Sequence, residues 1–192
     1  MSESCSPVSP VRIAVIQYDP QVGLEHCERN LGRGLALARR AAGEGANLIV
    51  LPELANTGYT FNSRAEAYDH AETLQDGPSL KAWEDFARQY QVYLAAGFSE
   101  RDGLKLYDSA VLLGPEGRLG HYRKAHLWNQ EKLWFTPGDL GVPGIRDANR
   151  AYRPAHMLGH LVPRSTAADG GARRRYHLQP QQLGMDPATI VR

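Results

Sequence analysis

The stretch Asn47-Leu48-Ile49-Val50-Leu51-Pro52-Glu53 decides how the rest of the chain is arranged. Four consecutive apolar residues, two of them β-branched, predict a strand buried on both faces of a sheet. The proline ends the hydrogen-bonding of the strand, and a carboxylate follows at its exit. Catalytic groups collect at the carboxyl ends of strands in α/β sheets, so Glu53 is a candidate acid or base. A solvated loop glutamate is the alternative interpretation of this stretch alone.

Regular elements precede this strand. Residues 11–17 alternate apolar side chains and predict a strand, and residues 24–42 predict an amphipathic helix that ends at Gly43 and Gly45. The expected inner face of that helix is Cys27, Leu31, Leu35 and Ala38/Ala42. Cys27 is therefore interpreted as a small core residue and not as a nucleophile. The strand–helix–strand unit predicts a layered α/β domain.

Further elements follow it. Ser79 is expected to open and cap a second helix. Its inward residues are predicted to be Leu80, Trp83, Phe86, Ala87 and Tyr90. Residues 92–98, 106–113 and 118–122 predict three strands, and the turn Pro115-Glu116-Gly117 joins the last two.

Composition narrows the class of protein. A chain of 192 residues with 42% apolar residues is long enough for one folded domain. No apolar run approaches the ~18 residues of a membrane span, and no signal peptide is recognised, so neither a membrane location nor secretion is expected. Two cysteines make no disulfide framework, which favours the cytoplasm.

The charge distribution changes abruptly near Pro143. Residues 144–192 contain eight arginines and three aspartates and no Lys, Glu, Phe, Trp or Cys, whereas residues 1–143 carry a net charge of −4. We expect residues 1–10, which are rich in Ser and Pro, to be disordered, residues 11–143 to form the domain, and residues 144–192 to be a separate tail. A basic tail can indicate nucleic-acid binding, but Arg173-Arg174-Arg175 lacks interleaved aromatic residues, so no nucleic acid is expected.

Two further segments contain candidate site residues. The polar and aromatic loop 55–63, which includes Tyr59, follows Glu53 and can wall a pocket. Lys124 follows a predicted strand, with Glu131 seven residues later. Surface positions are the alternative for both segments.

Taken together, these segments resemble the nitrilase superfamily of carbon–nitrogen hydrolases. The matching pieces, in order, are Ile13-Ala14-Val15-Ile16-Gln17, Leu48-Ile49-Val50-Leu51-Pro52-Glu53, Gly58-Tyr59, Tyr122-Arg123-Lys124-Ala125-His126-Leu127, and Glu131 with Phe135-Thr136-Pro137-Gly138. The resemblance implies a four-layer αββα sandwich, incomplete here, that forms a homo-oligomer in the intact fold. It also implies a small amide or nitrile substrate and a Glu-Lys-Cys mechanism without a metal or cofactor.

The resemblance assigns roles by position. Glu53 becomes the general base, Lys124 the group that stabilises the oxyanion, and Glu131 and Tyr59 the residues that position the substrate. A thiolate activated by a neighbouring base is a suitable nucleophile for an amide or nitrile carbon. The cysteine of the triad is expected near twenty residues beyond the Phe-Thr-Pro-Gly segment, and no cysteine is present there. Cys5 and Cys27 both precede Glu53.

A shift of reading frame after Pro143 explains both the missing cysteine and the change of composition. Methionine has the single codon ATG, and leucine codons begin with C or T, so Met157-Leu158 read one base later must encode cysteine. With permitted codons, residues 156–164 then become Thr-Cys-Trp-Gly-Thr-Trp-Phe-Pro-Glu, which resembles the nucleophile motif of the family. The chain is accordingly expected to be a carbon–nitrogen hydrolase by family that is inactive as translated. The alternative is a catalytically silent binding protein that uses the same half-domain.

Overall fold

The structure, a computed structural model, describes residues 11–141 and the strand Thr189–Val191. One mixed sheet organises it. The strands are β1 (Ile13–Gln17), β2 (Leu48–Val50), β3 (Tyr93–Asp102), β4 (Lys105–Gly114), β5 (Gly117–Arg123) and β6 (Thr189–Val191), in the order β5-β4-β3-β2-β1-β6. β1, β2 and β3 are parallel neighbours, whereas β3, β4 and β5 form an antiparallel meander.

Within residues 11–141, four helices accompany the sheet: α1 (Leu24–Gly43), α2 (Arg64–His70), α3 (Pro78–Tyr90) and α4 (Glu131–Trp134). α1 and α3 pack with the sheet around one apolar core, whose largest fully buried side chains include Trp83, Phe98, Ile16 and Ile49. Burial of this apolar surface is the main stabilising term. A smaller cluster around Leu54, Phe61 and Phe135 lies beneath the loops that carry the candidate site.

The prediction for the opening stretch is confirmed. β2 lies between β1 and β3, and Leu48, Ile49 and Leu51 are all at most 5% exposed. In β1 the predicted alternation is also present, because Ala14 and Ile16 are buried while the other face is exposed. The register of β1 and β2 therefore places Glu53 at the carboxyl end of a central parallel strand, as expected.

The inner face of α1 differs from the prediction. The buried residues are Asn30, Gly34, Ala38 and Ala41, whereas the predicted leucines are only partly buried. Asn30 shifts the face, because its side chain hydrogen-bonds to the backbone of Gln21 and Asn56 and so must point inward. A polar residue that serves the backbone is invisible to a search for apolar periodicity.

The prediction that Ser79 caps α3 is wrong. Gly77 is the N-cap, Pro78 takes the first helical position, and the Ser79 hydroxyl donates to Glu72 Oε1 at 2.6 Å. Proline favours this position because its φ is preset and it has no N–H to satisfy. The five residues predicted to point inward from α3 do so. The short helices α2 and α4 were not predicted.

The described residues supply one sheet with α1 and α3 against it, which matches the first part of the expected sandwich. A second sheet and a second helical layer are not found among residues 11–141. The expectations for residues 1–10 and for most of the tail 144–192 lie outside the described residues. Within the described part of the chain, no helix is long and apolar enough to cross a membrane.

Candidate active site

Glu53 lies in a turn that follows β2 and is fixed to β3. The Gly97 N–H donates to the Pro52 carbonyl at 3.2 Å, and the Gly97 carbonyl accepts from the Ala55 N–H at 2.9 Å. A Cβ atom on Gly97 would lie 2.7 Å from Glu53 Cα, so this close approach requires glycine. Leu54 is fully buried with a φ of 45°, a conformation that is uncommon for leucine. The backbone that carries Glu53 is therefore held by its surroundings.

Lys124 follows β5 and is also fixed through its backbone. Its N–H donates to the carbonyl of Asp108 at 2.8 Å, and its carbonyl accepts from the Gly138 N–H at 2.9 Å. The Lys124 side chain is buried, with Nζ 2.5 Å from Glu53 Oε1 and 2.8 Å from Glu131 Oε1. Glu53 and Lys124, 71 positions apart in sequence, thus form a hydrogen-bonded ion pair.

Glu131 and Tyr59 complete this group. Glu131 is buried at the start of α4, and its Oε2 accepts a hydrogen bond from the Trp128 N–H at 2.8 Å. Its Oε1 accepts from both Lys124 Nζ and the Tyr59 hydroxyl. Tyr59 itself is 40% exposed. All four residues that the sequence proposed for the site are therefore brought together.

The electrostatics fix the protonation states of these groups. Burial works to lower the pKa of Lys124, but Asp108, Glu131 and Glu53 together raise it above its ordinary value. Burial likewise works to raise the pKa of Glu131, whereas hydrogen bonds from Lys124 and Tyr59 bring it below its ordinary value. The pKa of Tyr59 is raised by burial and by its hydrogen bond to Glu131, so it stays a neutral donor. The result is a permanent ammonium beside an ionised Glu131.

Asp108 is a further carboxyl group beside Lys124 that the sequence analysis missed. It lies on β4 and is 4% exposed, with Oδ2 3.2 Å from Lys124 Nζ. Burial and the nearby Glu53 raise the pKa of Asp108 well above its ordinary range. A signal was present in the sequence, because Asp108 is the single acidic residue in the apolar run 106–113. A carboxyl in the middle of a buried strand indicates a site residue.

The carboxyl oxygens of Glu53, Asp108 and Glu131 lie within 4.8 Å of one another, close enough to surround a cation. The Lys124 ammonium takes the position of that cation, since Nζ is within 3.2 Å of all three carboxyl groups. The three carboxyl groups therefore surround the side-chain ammonium of Lys124, and a metal ion would have to displace this ammonium.

Cys27 has none of the features of an activated nucleophile. Its thiol lies on α1, is half-buried, and donates to the Gly23 carbonyl at 3.7 Å. Burial and then the carboxylates of Glu72 and Glu25 raise its pKa, whereas an attacking thiol needs a lowered one. The interpretation of Cys27 as a structural residue agrees with this environment. Cys5 lies outside the described residues.

A cleft opens beside Glu53 and Lys124 on the sheet. Its wall includes the small residues Ala95, Gly97 and Ala110 and the phenol of Tyr122. A mixed α/β sheet that presents a buried ammonium and a carboxylate beside a cleft is typical of an enzyme active site.

Comparison with known proteins identifies the class. The carbon–nitrogen hydrolase family matches residues 12–151. The nitrilase of Pyrococcus abyssi is 44% identical over 131 residues, which cover 68% of this chain and 49% of the relative. The citrullinase of Francisella tularensis is 33% identical over 137 residues, which cover 68% of this chain and 47% of that protein. The crystal structure of a carbon–nitrogen hydrolase from Helicobacter pylori G27 superimposes with a TM-score of 0.61 at 27% identity, over 70% of this chain and 47% of that one.

The chain therefore belongs to the carbon–nitrogen hydrolase family, the nitrilase superfamily. The resemblance drawn from the sequence is confirmed. The chain spans about half the length of the curated relatives that it matches.

Proposed function

We propose that residues 11–141 carry the acid–base half of a carbon–nitrogen hydrolase site that acts on a small linear amide or nitrile. The observation that carries this proposal is the position of Lys124 Nζ, 2.5 Å from Glu53 Oε1 and 2.8 Å from Glu131 Oε1. An ammonium that is fixed beside a carboxylate at a strand end can supply charge where an oxyanion develops. Glu131 and Tyr59 would hold the ammonium and the substrate in position.

For an amide, the proposed reaction needs a cysteine thiol as its nucleophile. Glu53 accepts the thiol proton, the sulfur bonds to the carbonyl carbon, and the Lys124 ammonium donates a hydrogen bond to the oxyanion. Collapse of this intermediate breaks the carbon–nitrogen bond, and the amine leaves with the proton from Glu53. Water, deprotonated by Glu53, then hydrolyses the thioester and restores the thiol.

We infer that the chain is inactive as translated. Its two cysteines are Cys5 and Cys27, and the raised pKa of the Cys27 thiol opposes nucleophilic attack. A change of reading frame after Pro143 accounts for this deficit, because Met157-Leu158 read one base later encodes cysteine. The expected homo-oligomer and the cytoplasmic location remain predictions.

The alternative is a silent binding protein that keeps the cleft and uses no nucleophile. Absence of the expected cysteine from the 192-residue sequence is the observation that favours it. Selection for such a protein predicts a cooperative thermal transition for the isolated chain. A broad, non-cooperative transition argues against it.

The DNA sequence around codon 143 tests the frame hypothesis. We expect removal of one base, or addition of two, just after this codon to yield an open frame with Thr-Cys-Trp-Gly-Thr-Trp-Phe-Pro-Glu in place of residues 156–164. Codons of residues 144–192 that do not yield this motif one base later contradict the hypothesis.

A further inference from the structure

Asp108 differs from the other carboxyl groups of the site in how its oxygens are bonded. Glu131 receives three hydrogen bonds, and Glu53 Oε1 receives one from the Lys124 ammonium. Asp108 Oδ2 has no hydrogen-bond partner within residues 11–141, although Lys124 Nζ is 3.2 Å away, because the approach is poorly directed. A buried carboxylate oxygen without a donor is costly, whereas a protonated carboxyl group carries its own donor.

The ammonium of Lys124 is committed to the other two carboxylates. Its distances to Glu53 Oε1 and Glu131 Oε1 are 2.5 Å and 2.8 Å, both shorter than its distance to Asp108. Three carboxylates around one ammonium would carry a net charge of −2. A proton on one carboxyl group halves that net charge, and the group that gains least from the ammonium is the most favourable place for it.

The difference in burial between Asp108 and Glu53 also favours a proton on Asp108. The Glu53 side chain is 32% exposed and that of Asp108 only 4%, so ionised Asp108 has far less contact with water. One carboxyl oxygen of each residue lies within 4.8 Å of the other, so two negative charges here would repel each other. The proton should therefore reside on the more buried member of the pair.

We propose that Asp108 is a positioning residue that holds the shared proton of the Glu53–Asp108 pair, so that Glu53 stays ionised and free to act as the base. The assignment of Glu53 as a base rests on the proposed function, but the location of the proton does not depend on it. A neutral Asp108 also leaves the ammonium directed at Glu53 and Glu131.

The surroundings of Asp108 support this location. The ionisable groups around it are Glu53 after β2, Lys124 after β5, and Glu131 beyond the ammonium. Tyr122 lies on the same face of the sheet and accepts a hydrogen bond from the Ala125 N–H. Burial and Glu53 raise the pKa of Asp108, and the opposing effect of Lys124 does not cancel them.

Carbon-13 NMR of the 192-residue chain labelled at aspartate side-chain carboxyls tests the proposal without substrate or nucleophile. We expect one resonance to keep the chemical shift of a protonated carboxyl at pH 6, where ordinary aspartates, with pKa values of about 3.9, have ionised. Asp108→Asn should remove that resonance. Asp102→Asn, the matched control at a carboxylate whose side chain is 61% exposed, should leave it in place.

Glu53→Gln provides a second reading. Removing the neighbouring charge should lower the titration midpoint of the same resonance by about one pH unit or more, as expected for coupled carboxyl groups. A wild-type spectrum in which every aspartate has ionised by pH 6 overturns the proposal, even if Asp108→Asn does not fold. A midpoint unmoved by Glu53→Gln also overturns it. Loss of hydrolytic activity in the frame-corrected protein, which contains the expected cysteine, would instead bear on the proposed function.

Discussion

Two clusters of polar and charged side chains lie on opposite faces of the sheet at β4, and they differ in how completely their buried polar atoms are hydrogen-bonded. The Lys124 cluster consists of Lys124, Glu53, Asp108 and Glu131. The Arg123 cluster consists of Arg123, Glu100, Asp102, Asp139, His121 and Ser109. Asp108 and Ser109 are successive residues of one strand, so their side chains point to opposite faces of the sheet.

The Arg123 cluster is fully paired at its centre. Glu100 is 1% exposed and receives hydrogen bonds from Arg123, His121 and Ser109. Burial works to raise its pKa, but these three donors bring the pKa down to about 2. The Arg123 guanidinium also stacks on the Tyr107 ring at 3.8 Å from its centroid. A centre of this kind is fixed and chemically inert at neutral pH.

The Lys124 cluster is incomplete by comparison. Each cluster has three carboxyl groups around one lysine or arginine. The three around Arg123 all accept hydrogen bonds from its guanidinium, whereas a buried oxygen of Asp108 has no hydrogen bond within residues 11–141. Arg123 and Lys124 are adjacent in sequence at the end of β5, but their side chains belong to different clusters. The Arg123 cluster anchors that end, whereas the Lys124 cluster keeps a buried carboxyl oxygen without a donor among the described residues, as is typical of groups with a shifted pKa.

The largest effect is expected from removing the cation of the fully paired cluster. Arg123→Met leaves Glu100 buried without its counter-charge, which should lower the free energy of unfolding by about 3–5 kcal/mol in urea titrations. Arg118→Met is the matched control, because Arg118 pairs with Glu84 at 2.7 Å in a more exposed position. Its cost should be below about 1 kcal/mol. Equal losses in the two variants would show that the Arg123 cluster is no anchor.

The same cluster predicts the response to acid. The pKa of Glu100 is about 2 in the fold against an ordinary value of 4.5, so the unfolded chain binds its proton more readily. Its stabilising contribution is present above pH 4.5 and is lost as the pH falls toward 2. Arg123→Met should lessen this loss, because the hydrogen bonds from His121 and from the Arg123 guanidinium together lower the pKa of Glu100. Unfolding free energies measured at several pH values check this, and parallel curves for the two proteins would contradict it.

A steric substitution at Gly97 should disturb the Lys124 cluster and leave the Arg123 cluster in place. Gly97→Ala places a Cβ 2.7 Å from Glu53 Cα, which should cost about 1–3 kcal/mol and displace Glu53 from Lys124. Gly32→Ala is the control, because nothing lies within 4 Å of its added Cβ and alanine favours a helix by about 0.5–1 kcal/mol. The two variants should therefore shift the urea midpoint in opposite directions. A stabilised Gly97→Ala variant would mean that the turn carrying Glu53 is loose.

The smallest effect is expected at the rim of the Lys124 cluster. Tyr59→Phe removes the hydroxyl donor to Glu131, which keeps its bonds to Lys124 and Trp128. Loss of one such hydrogen bond should cost about 0.5–1.5 kcal/mol in thermal or urea unfolding. Tyr68→Phe, which removes a donor to the Gly103 carbonyl at the surface, is the control and should cost less. The reverse order would place Tyr59 outside the cluster.

Much of this arrangement follows from local patterns in the sequence. The run 48–51 and the alternation of residues 11–17 predicted their strands, because both patterns report burial. The turn at Pro115-Glu116-Gly117 predicted the reversal between β4 and β5 from the backbone preferences of proline and glycine. The family pattern proposed Glu53, Lys124, Glu131 and Tyr59 as one site. No local rule predicts that Glu53 and Lys124, 71 positions apart, lie together, and their roles stay predictions.

The misses have physical causes. Asp108 was missed because the apolar residues around it were sufficient to predict the strand, so the one carboxyl group within the strand was not considered as a site residue. α2 was missed although Ser63 accepts from the Glu66 N–H, a capping signal that the surrounding loop composition obscured. α4 has only four residues and is held by the hydrogen bonds that Glu131 accepts from Tyr59 and Lys124, so propensity alone does not define it.

The most direct test of the account is the release of ammonia from a panel of small linear amides and nitriles. Two proteins are compared: the 192-residue chain and the product of the gene corrected by one base after codon 143. We predict turnover by the corrected protein, reduced about 100-fold or more by Lys124→Met, and none above buffer by the 192-residue chain. Comparable turnover by the 192-residue chain, unchanged by Cys27→Ser, would contradict the account.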